Sequence, residues 1–216
     1  MNATTKPRLQ GRKTFRHGNL RRTLLEAGIE LARGGGPQAV VLREATRRAG
    51  VAPNAAYRHF SSHRDLLQAV RAAALSSLAV AIETEIVAAR RRKSSPPQLA
   101  RAMLRAVGTG YIKFALTETG LFRTAFSSPE RVEEDRDVAK TGKTGMNPFQ
   151  LLGSALDHLV ETGVLPPERR QGAEYVAWSA VHGFAFLIIE GPLSGASDKE
   201  IRVLGDRLLL MVENGL

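Results

Sequence analysis

The chain has 216 residues, with 31 Lys and Arg against 21 Asp and Glu, a formal net charge of +10, and no cysteine. A chain of this size buries roughly 70% of its unfolded surface, and its composition excludes a mainly disordered or collagen-like protein. Without cysteine, a disulfide-stapled fold, Cys-ligated zinc, an iron–sulfur cluster and a thiol nucleophile are excluded as well.

No run of about 18 apolar residues occurs in the sequence, so we expect no membrane span. The N-terminus is basic, but no apolar stretch follows it, so it is not a secretory signal. The simplest interpretation is a cytoplasmic protein.

The positive charge is concentrated at the start of the chain. Residues 1–60 contain 12 Lys and Arg and 3 Asp and Glu, a net +9, whereas residues 61–216 contain 19 and 18, a net +1. A local charge of this size attracts polyanions, either nucleic acid or an anionic membrane. A membrane-surface role fails because the basic segment has no apolar face.

Residues 1–17 are predicted to be a disordered basic arm, because they are polar and contain Pro7 and Gly11. Such an arm can enter a minor groove or follow phosphates. The alternative is a disordered tail that only increases solubility.

Residues 18–62 are predicted to form a three-helix unit. Asn19 is placed to cap a first helix with an apolar stripe over residues 20–31, and the segment from Gly34 to Pro37 ends it.

The second and third helices of this unit are predicted to be short. The second runs from Val40 to Ala49, is followed by Gly50, and lacks a capping side chain at Val41. The third begins at Pro53, which suits a first helical turn, and extends to Phe60.

A long fourth helix is predicted to connect this unit to the rest of the chain over residues 63–93. Ser61 or Ser62 caps it, and no breaker occurs before a basic cluster at 90–93, so it is expected to span about 30 residues, roughly 45 Å. Further helices are predicted at 97–118, 120–127, 146–162, 167–190 and 198–213, with a mobile loop over 128–145. The predicted fold class is therefore all-α, with about nine helices and a larger helical domain over residues 63–216.

Two short helices joined by a tight turn, behind a longer first helix, are typical of a helix-turn-helix unit. Packing its apolar stripe against the first helix leaves one face of the third helix exposed. The residues on this face are Pro53, Asn54, Ala55, Tyr57, Arg58 and His59. Asn reads adenine and Arg reads guanine through paired hydrogen bonds, whereas Tyr and His reach phosphates. The sequence therefore favours binding to double-stranded DNA.

The segment from Leu42 to Leu67, L-R-E-A-T-R-R-A-G-V-A-P-N-A-A-Y-R-H-F-S-S-H-R-D-L-L, closely resembles the DNA-binding domain of TetR-family transcriptional regulators. The Ala-Gly-Val turn followed by a Tyr-x-x-Phe helix carries the resemblance, which extends back through His17–Arg22. Matched residue by residue, it implies positions near bases for Arg43, Asn54, Ala55 and Arg58, and positions at the backbone for Tyr57 and His59.

Two positions depart from the family pattern. Val41 stands where the family often has Ser or Thr, whose hydroxyl caps the second helix and meets a phosphate. His63 stands where the family usually has Lys, so this position lacks a fixed positive charge. We expect weaker phosphate anchoring at both, offset by the basic arm, and we keep His63 among the DNA-binding candidates.

The C-terminal half carries a second resemblance. Tyr111–Ala115, Gly120–Arg123, Trp178–Gly183 and Glu190–Leu193 are similar to blocks of the TetR C-terminal subgroup named for its Trp…His-Gly motif. The resemblance implies a nine-helix homodimer whose last two helices form a four-helix interface. It also implies a pseudo-palindromic operator, read by two recognition helices about one DNA turn apart.

The resemblance further implies a small-molecule effector that binds the larger domain and spreads the recognition helices, as in a ligand-released repressor. The residues expected to line its pocket are Met103, Tyr111, Phe114, Phe122, Trp178 and His182. Their apolar character predicts a hydrophobic or amphipathic ligand. Plain core packing of the aromatic residues is the alternative, and His182 beside Gly183 also fits a close helix crossing.

The dimer interface is expected on the last two helices. A narrow apolar seam along the last helix and an almost wholly apolar penultimate helix both favour burial by a partner. The interface candidates are Val181, Leu204, Leu208 and Met211.

The sequence contains no phosphate loop, dinucleotide turn, nucleophile elbow or His-Glu-x-x-His motif, so we expect no enzyme and no cofactor. No His spacing fits a metal site, and no metal is expected. The carboxylates of Glu118, Glu133, Glu134 and Asp135 are interpreted as solvated. A DNA-binding protein that is ligand-independent, or that needs a corepressor, is the remaining alternative.

Overall fold

The structure, a computed structural model, describes residues 17–128 and 135–216. Residues 1–16 of the arm predicted over 1–17 lie outside it, and residue 17 begins the first helix. Across the two described ranges the fold is all-helical, with nine α-helices and no strand. The first four helices are α1 (His17–Gly35), α2 (Leu42–Ala49), α3 (Pro53–Ala56) and α4 (His63–Arg90). The others are α5 (Pro96–Thr117), α6 (Thr119–Ala125), α7 (Pro148–Glu161), α8 (Ala173–Ile189) and α9 (Asp198–Gly215).

In the N-terminal unit, α2 and α3 pack against α1, and α1 in turn packs against α4. Its small core contains fully buried Leu24, Ala45, Ala56 and Phe60. Burying these apolar side chains supplies most of the free energy that holds such short helices in place, because helices this short are marginal alone. The α2–α3 turn begins at Gly50, whose φ of 67° lies in the left-handed region that glycine tolerates.

Two local details of this unit differ from the prediction. Helix α1 begins at His17, so Asn19 lies within the helix rather than at its cap. Helix α3 ends at Ala56 instead of continuing to Phe60, because the His59 and Phe60 amides both donate to the Ala56 carbonyl in a tight turn, at 2.8 and 2.9 Å.

Helix α4 is the element that both halves of the molecule share. Ser62 caps it by accepting a hydrogen bond from the Asp65 amide at 3.1 Å. Its 28 residues span roughly 42 Å at 1.5 Å per residue. Val70, near its start, is fully buried in the core, and Ile82, further along, is 1% exposed. The same helix therefore contributes buried side chains to the core of the N-terminal unit and to the core of the larger domain.

The length and mean hydropathy of α4, 1.6 over its most apolar 18 residues, would also permit a membrane span. It is the one helix in the described ranges with this property. Inside the fold, 39% of that window is buried, and α4 packs against α5, α6 and α1. These contacts explain its apolar composition as that of a core helix.

The larger domain is a bundle in which α5 is central. Helix α5 packs against α4, α7, α8 and α9, and α8 packs against α9. Three helices begin with a capping box, in which the N-cap residue and the third helical residue exchange hydrogen bonds, at Ser95, Asn147 and Ser197.

Two segments of the larger domain differ from the prediction. Residues 135–145 were expected to belong to a mobile loop, but they contain a 3₁₀ turn, Val138–Lys140, that packs on α4. The helix predicted over 167–190 is interrupted, because Gly172 adopts a φ of 77° between the 3₁₀ turn Pro167–Arg169 and α8.

Helix α6 makes a second connection between the two halves of the molecule, because it packs against both α1 and α4. The Arg33 guanidinium of α1 donates to the Glu118 carboxylate at 2.7 Å, so Glu118 is not simply solvated. Arg71 of α4, 2% exposed, donates to the Ser128 carbonyl just beyond α6 at 2.9 Å. A Cβ at Gly120 would lie 2.2 Å from the Ala32 carbonyl oxygen, so α6 and α1 approach as closely as their backbones allow.

We expect Gly120→Ala to destabilise the protein, because the added methyl group meets backbone atoms that cannot rotate away. The expected loss is about 1–3 kcal/mol in the free energy of unfolding, measured by urea denaturation. Gly34→Ala is the matched control: a Cβ there meets nothing within 4 Å, and the change is expected to be neutral or slightly stabilising. Equal stability of the two variants would contradict the close α1–α6 contact.

Candidate DNA interface and ligand cavity

The short third helix and the turn after it present one exposed face. Pro53, Asn54 and Arg58 are exposed, and Tyr57 is 58% exposed, whereas Ala55 and His59 are half-buried. Buried Ala56 and Phe60 hold this segment on the core. The structure therefore brings the predicted base and phosphate contacts together on one surface, with the two half-buried residues at its inner edge.

Helix α2 supplies a second basic row beside this face. Glu44 accepts hydrogen bonds from Arg47 at 2.7 and 2.8 Å and from Arg48 at 3.2 Å, and these contacts, led by the Arg47 hydrogen bonds, lower the pKa of Glu44 to about 2. Arg43 is exposed and lies outside this cluster. Of the three arginines of α2, Arg43 is therefore the one that does not donate a hydrogen bond to Glu44.

The two departures from the family pattern are visible in the structure. Val41 occupies the N-cap position of α2 without a side-chain hydrogen bond and is 45% exposed. His63 is the exposed first residue of α4. Neither position offers the hydroxyl or the fixed charge that would anchor a phosphate.

A cavity of about 80 Å³ lies inside the larger domain. Most of its wall is apolar and comes from four helices: Leu75 and Ile82 of α4, Leu104, Val107 and Tyr111 of α5, Ala177, Trp178 and Val181 of α8, and Leu209 and Val212 of α9. Phe126, Pro148, Phe149 and Leu152 complete the apolar wall. An apolar cavity with a few convergent polar groups is the usual form of a small-molecule site.

An ion pair forms one polar part of this wall. The Lys140 ammonium donates to the Asp135 carboxylate at 2.6 Å, and both side chains are 14% exposed. The interpretation of Asp135 as solvated is therefore wrong, because the Val138–Lys140 turn brings Lys140 back over it. Asn147 fixes this arrangement by donating to the Asp135 backbone carbonyl at 3.1 Å.

A hydrogen-bonded trio forms a second polar part. Trp178 Nε1 donates to the Tyr111 hydroxyl at 3.1 Å, and that hydroxyl lies 2.7 Å from His182 Nδ1. Burial lowers the pKa of His182 and raises the pKa of Tyr111, so both groups are neutral at pH 7. The trio thus fixes the orientation of Trp178 and Tyr111 in the wall.

Two of the six predicted pocket residues, Tyr111 and Trp178, line this cavity. Phe122 and His182 lie behind the wall, with ring centroids 5.6 Å from Tyr111 and 4.9 Å from Phe126 respectively. Their predicted positions in the lining are corrected accordingly.

Met103 and Phe114 lie on other faces of α5. Met103 borders a separate surface groove beside α7, and Phe114, 4% exposed, packs in the core. These two predicted lining positions are corrected as well.

The four residues predicted at the dimer interface do not all lie on the exposed sides of α8 and α9. Val181 is buried and faces the cavity of its own subunit, so its predicted place in the interface is wrong. Leu208 is half-buried against the same core. Leu204 and Met211 are 36% and 59% exposed. They belong to an exposed apolar face made by α8 and α9, together with Val176, Phe186, Leu187, Val203 and Leu210.

Within the described ranges, no three His, Asp or Glu side chains come together as metal ligands. The geometry defines a class of protein. It is a helical regulator with a helix-turn-helix surface at the start of α4 and an apolar cavity beside the later turns of the same helix.

Comparison with known proteins agrees with this class. Residues 24–70 match the family described as "Bacterial regulatory proteins, tetR family", and residues 104–212 match "Tetracyclin repressor-like, C-terminal domain". The second match covers half of the chain. The chain therefore belongs to the TetR family of transcriptional regulators.

Solved structures share the fold over 87–92% of the chain. A protein of unknown function from Rhodococcus sp. RHA1 is 25% identical, with a TM-score of 0.69 over 92% of this chain and 98% of that one. FadR from Bacillus subtilis, in complex with stearoyl-CoA, is 14% identical, with a TM-score of 0.64 over 90% and 98%. The TetR-family regulator PfmR from Thermus thermophilus is 19% identical, with a TM-score of 0.53 over 87% and 97%. No functionally curated protein matches this chain.

We expect Tyr111→Phe to destabilise the protein by about 1–3 kcal/mol, because Trp178 Nε1 and His182 Nδ1 both lose a hydrogen-bond partner. Thermal and urea unfolding measure the loss. Tyr57→Phe removes a hydroxyl from an exposed ring and is expected to change stability by less than about 0.5 kcal/mol. If Tyr111→Phe were as stable as Tyr57→Phe, the trio would contribute nothing to the fold.

Proposed function

We propose that this chain is a sequence-specific repressor that binds a pseudo-palindromic operator as a homodimer and is released by a small, largely apolar ligand. The observation that carries the proposal is the continuity of α4. Near its start, Val70 belongs to the core beneath the DNA-binding helices, and further along, Leu75 and Ile82 form part of the cavity wall. A ligand that displaces this wall acts directly on the helix that follows the recognition segment and packs against α1.

The DNA-binding part of the proposal rests on the surface chemistry of the N-terminal unit. Arg58 and Asn54 are exposed on the segment that enters a major groove in helix-turn-helix proteins. Guanidinium and amide groups form the paired hydrogen bonds that distinguish guanine and adenine. Exposed Tyr57 and His63, with half-buried His59, are proposed to meet phosphates beside this segment. Exposed Arg43 is proposed to lie near bases.

The homodimer rests on the exposed apolar face of α8 and α9. Several large exposed apolar side chains on two helices that pack together are the kind of surface that marks a contact site. A second copy of the same face would bury it about a two-fold axis. The proposed interface residues are therefore Leu204 and Met211 with their exposed apolar neighbours, and Leu208 at the edge.

The ligand is proposed from the cavity. Its wall is mostly apolar, and its polar residues are the Lys140–Asp135 pair, Asn147, Arg105 and Tyr111 with its hydroxyl. FadR shows that a TetR-like fold accommodates an acyl thioester in that protein. We also propose that Trp178 and His182, joined through Tyr111, represent the motif of the Trp…His-Gly subgroup. Cytoplasmic location follows from a DNA target.

We expect Arg58→Ala to weaken binding to the selected operator by about 1–3 kcal/mol and to relax base preference at one position of each half-site. Binding is measured by fluorescence anisotropy on the operator and on single-base variants. Arg169→Ala, which removes one exposed arginine from the larger domain, is the charge-matched control. An equal loss on every sequence would make Arg58 a phosphate contact instead.

We expect Leu204→Arg combined with Met211→Arg to yield monomers, because two charges would be buried in the proposed interface. Sedimentation velocity measures the mass, and anisotropy measures the accompanying loss of operator affinity. Val87→Arg places a charge at another exposed apolar site, on α4, and should leave the dimer intact. A double variant that still sediments as a dimer would place the interface elsewhere.

A further inference from the structure

The cavity is closed on one side by residues 135–147, here called the strap. From this segment, Asp135, Lys140 and Asn147 contribute to the cavity wall. At about 80 Å³ the cavity is smaller than a 150 Å³ site that holds benzene, and far smaller than the roughly 300 Å³ or more that most ligands need. A ligand therefore enters only if part of the wall moves.

The strap is the part of the wall that the core holds least. Residues 135–146 of the strap are not buried, and Asn147 at its end is its one buried residue, whereas each helix that contributes to the wall has several buried residues. Segments with little buried apolar surface open at the lowest free-energy cost. The strap is held instead by hydrogen bonds to α4, and Ser76 makes one of them by donating to the Thr141 carbonyl at 2.6 Å.

Glu83 of α4 makes the strongest attachment. It is only 6% exposed and lies one position beyond Ile82 of the cavity wall. Its carboxylate accepts hydrogen bonds from the Lys143 amide at 2.8 Å, the Thr144 amide at 2.8 Å and the Thr144 hydroxyl at 2.6 Å. Burial alone would raise the pKa of Glu83, but these hydrogen bonds outweigh it and the pKa lies below its usual value.

We propose that Glu83 is the latch of the ligand site: it holds the strap closed over the cavity, and a ligand enters when the strap leaves it. The inference rests on the proposed function, because it takes the cavity as the ligand site. A buried carboxylate that loses its donors is strongly disfavoured. Displacing the strap therefore perturbs α4 at Glu83, 20 residues, or about 30 Å of helix, from His63 at the DNA-binding end.

Glu85 provides the matched control on the same helix. Its carboxylate accepts from the Lys113 ammonium at 2.7 Å at the surface of α5, away from the strap, and its side chain is 24% exposed. Glu85→Gln removes the same charge from α4 as Glu83→Gln but leaves every strap contact in place.

The test measures strap opening in the full-length protein. Nile red, a neutral apolar dye, is mixed with wild type, Glu83→Gln, Thr144→Val and Glu85→Gln in a stopped-flow fluorimeter. Hydrogen exchange of the Lys143 and Thr144 amides is followed in parallel. Circular dichroism confirms that each variant is folded, and Thr144→Val, which loses one hydroxyl donor, tests the same contact should Glu83→Gln unfold.

At saturating dye, the entry rate becomes independent of concentration and reports opening. We expect the entry rate to rise at least about tenfold in Glu83→Gln. The neutral Gln amide forms weaker hydrogen bonds than the carboxylate, and its NH2 group cannot accept one from the strap. A smaller rise is expected in Thr144→Val and none in Glu85→Gln. Exchange of the two amides should accelerate in the same order.

Amide exchange in Glu83→Gln equal to that in Glu85→Gln would overturn the latch. Faster exchange with an unchanged dye entry rate would overturn it as well, because the strap would then open without admitting the dye. A third outcome is that the dye binds none of the four proteins although amide exchange accelerates as expected. This result would count against the cavity as a ligand site, and so against the proposed function.

Discussion

The continuity of α4 is the constraint on which the rest of the molecule depends. A 28-residue helix cannot bend locally without breaking hydrogen bonds, so its two ends move together. The N-terminal helices are too short to be stable alone and take their position from buried Val70 and Leu66 of α4. The larger domain uses the same helix as one wall of its cavity. The proposed function requires that a movement of this wall be transmitted along α4 to the N-terminal unit.

A second connection limits how the two ends can move. Helix α6 lies against the end of α1 at Gly120, where no side chain fits, and Arg71 ties its far end to α4. Phe122 and Phe126, at the end of α6, pack against the Tyr111–His182 cluster. The DNA-binding helices are thus held at two places, along α4 and against α6. This arrangement favours a concerted shift over independent motion of the two domains.

Local patterns predicted the elements of the fold well. The Gly50 turn, the Ser62 cap and the absence of breakers in α4 are properties of neighbouring residues, and they gave the helix-turn-helix and the connecting helix within a few residues. The exposed recognition residues followed from the same periodicity. Where the prediction failed locally, as at Gly172, one residue with a positive φ interrupted an otherwise helical pattern.

The lining of the cavity was predicted much less completely, because its parts come from distant segments. Asp135 and Lys140 lie in a polar stretch, and only the turn between them creates a buried ion pair. Glu83 has no local signal, since its partners are about 60 residues away. Val181 was assigned to the wrong face because α8 is apolar nearly all round, and periodicity cannot orient such a helix.

Selection of duplexes from a random DNA library by the purified wild-type protein, at about 150 mM salt, tests the central claim most directly. The account predicts enrichment of a pseudo-palindrome whose half-sites lie about one helical turn apart, because two recognition surfaces would be joined through α8 and α9. Retention of duplexes without any enriched sequence would contradict it, and would reduce the role of the N-terminal unit to a general attraction for phosphate.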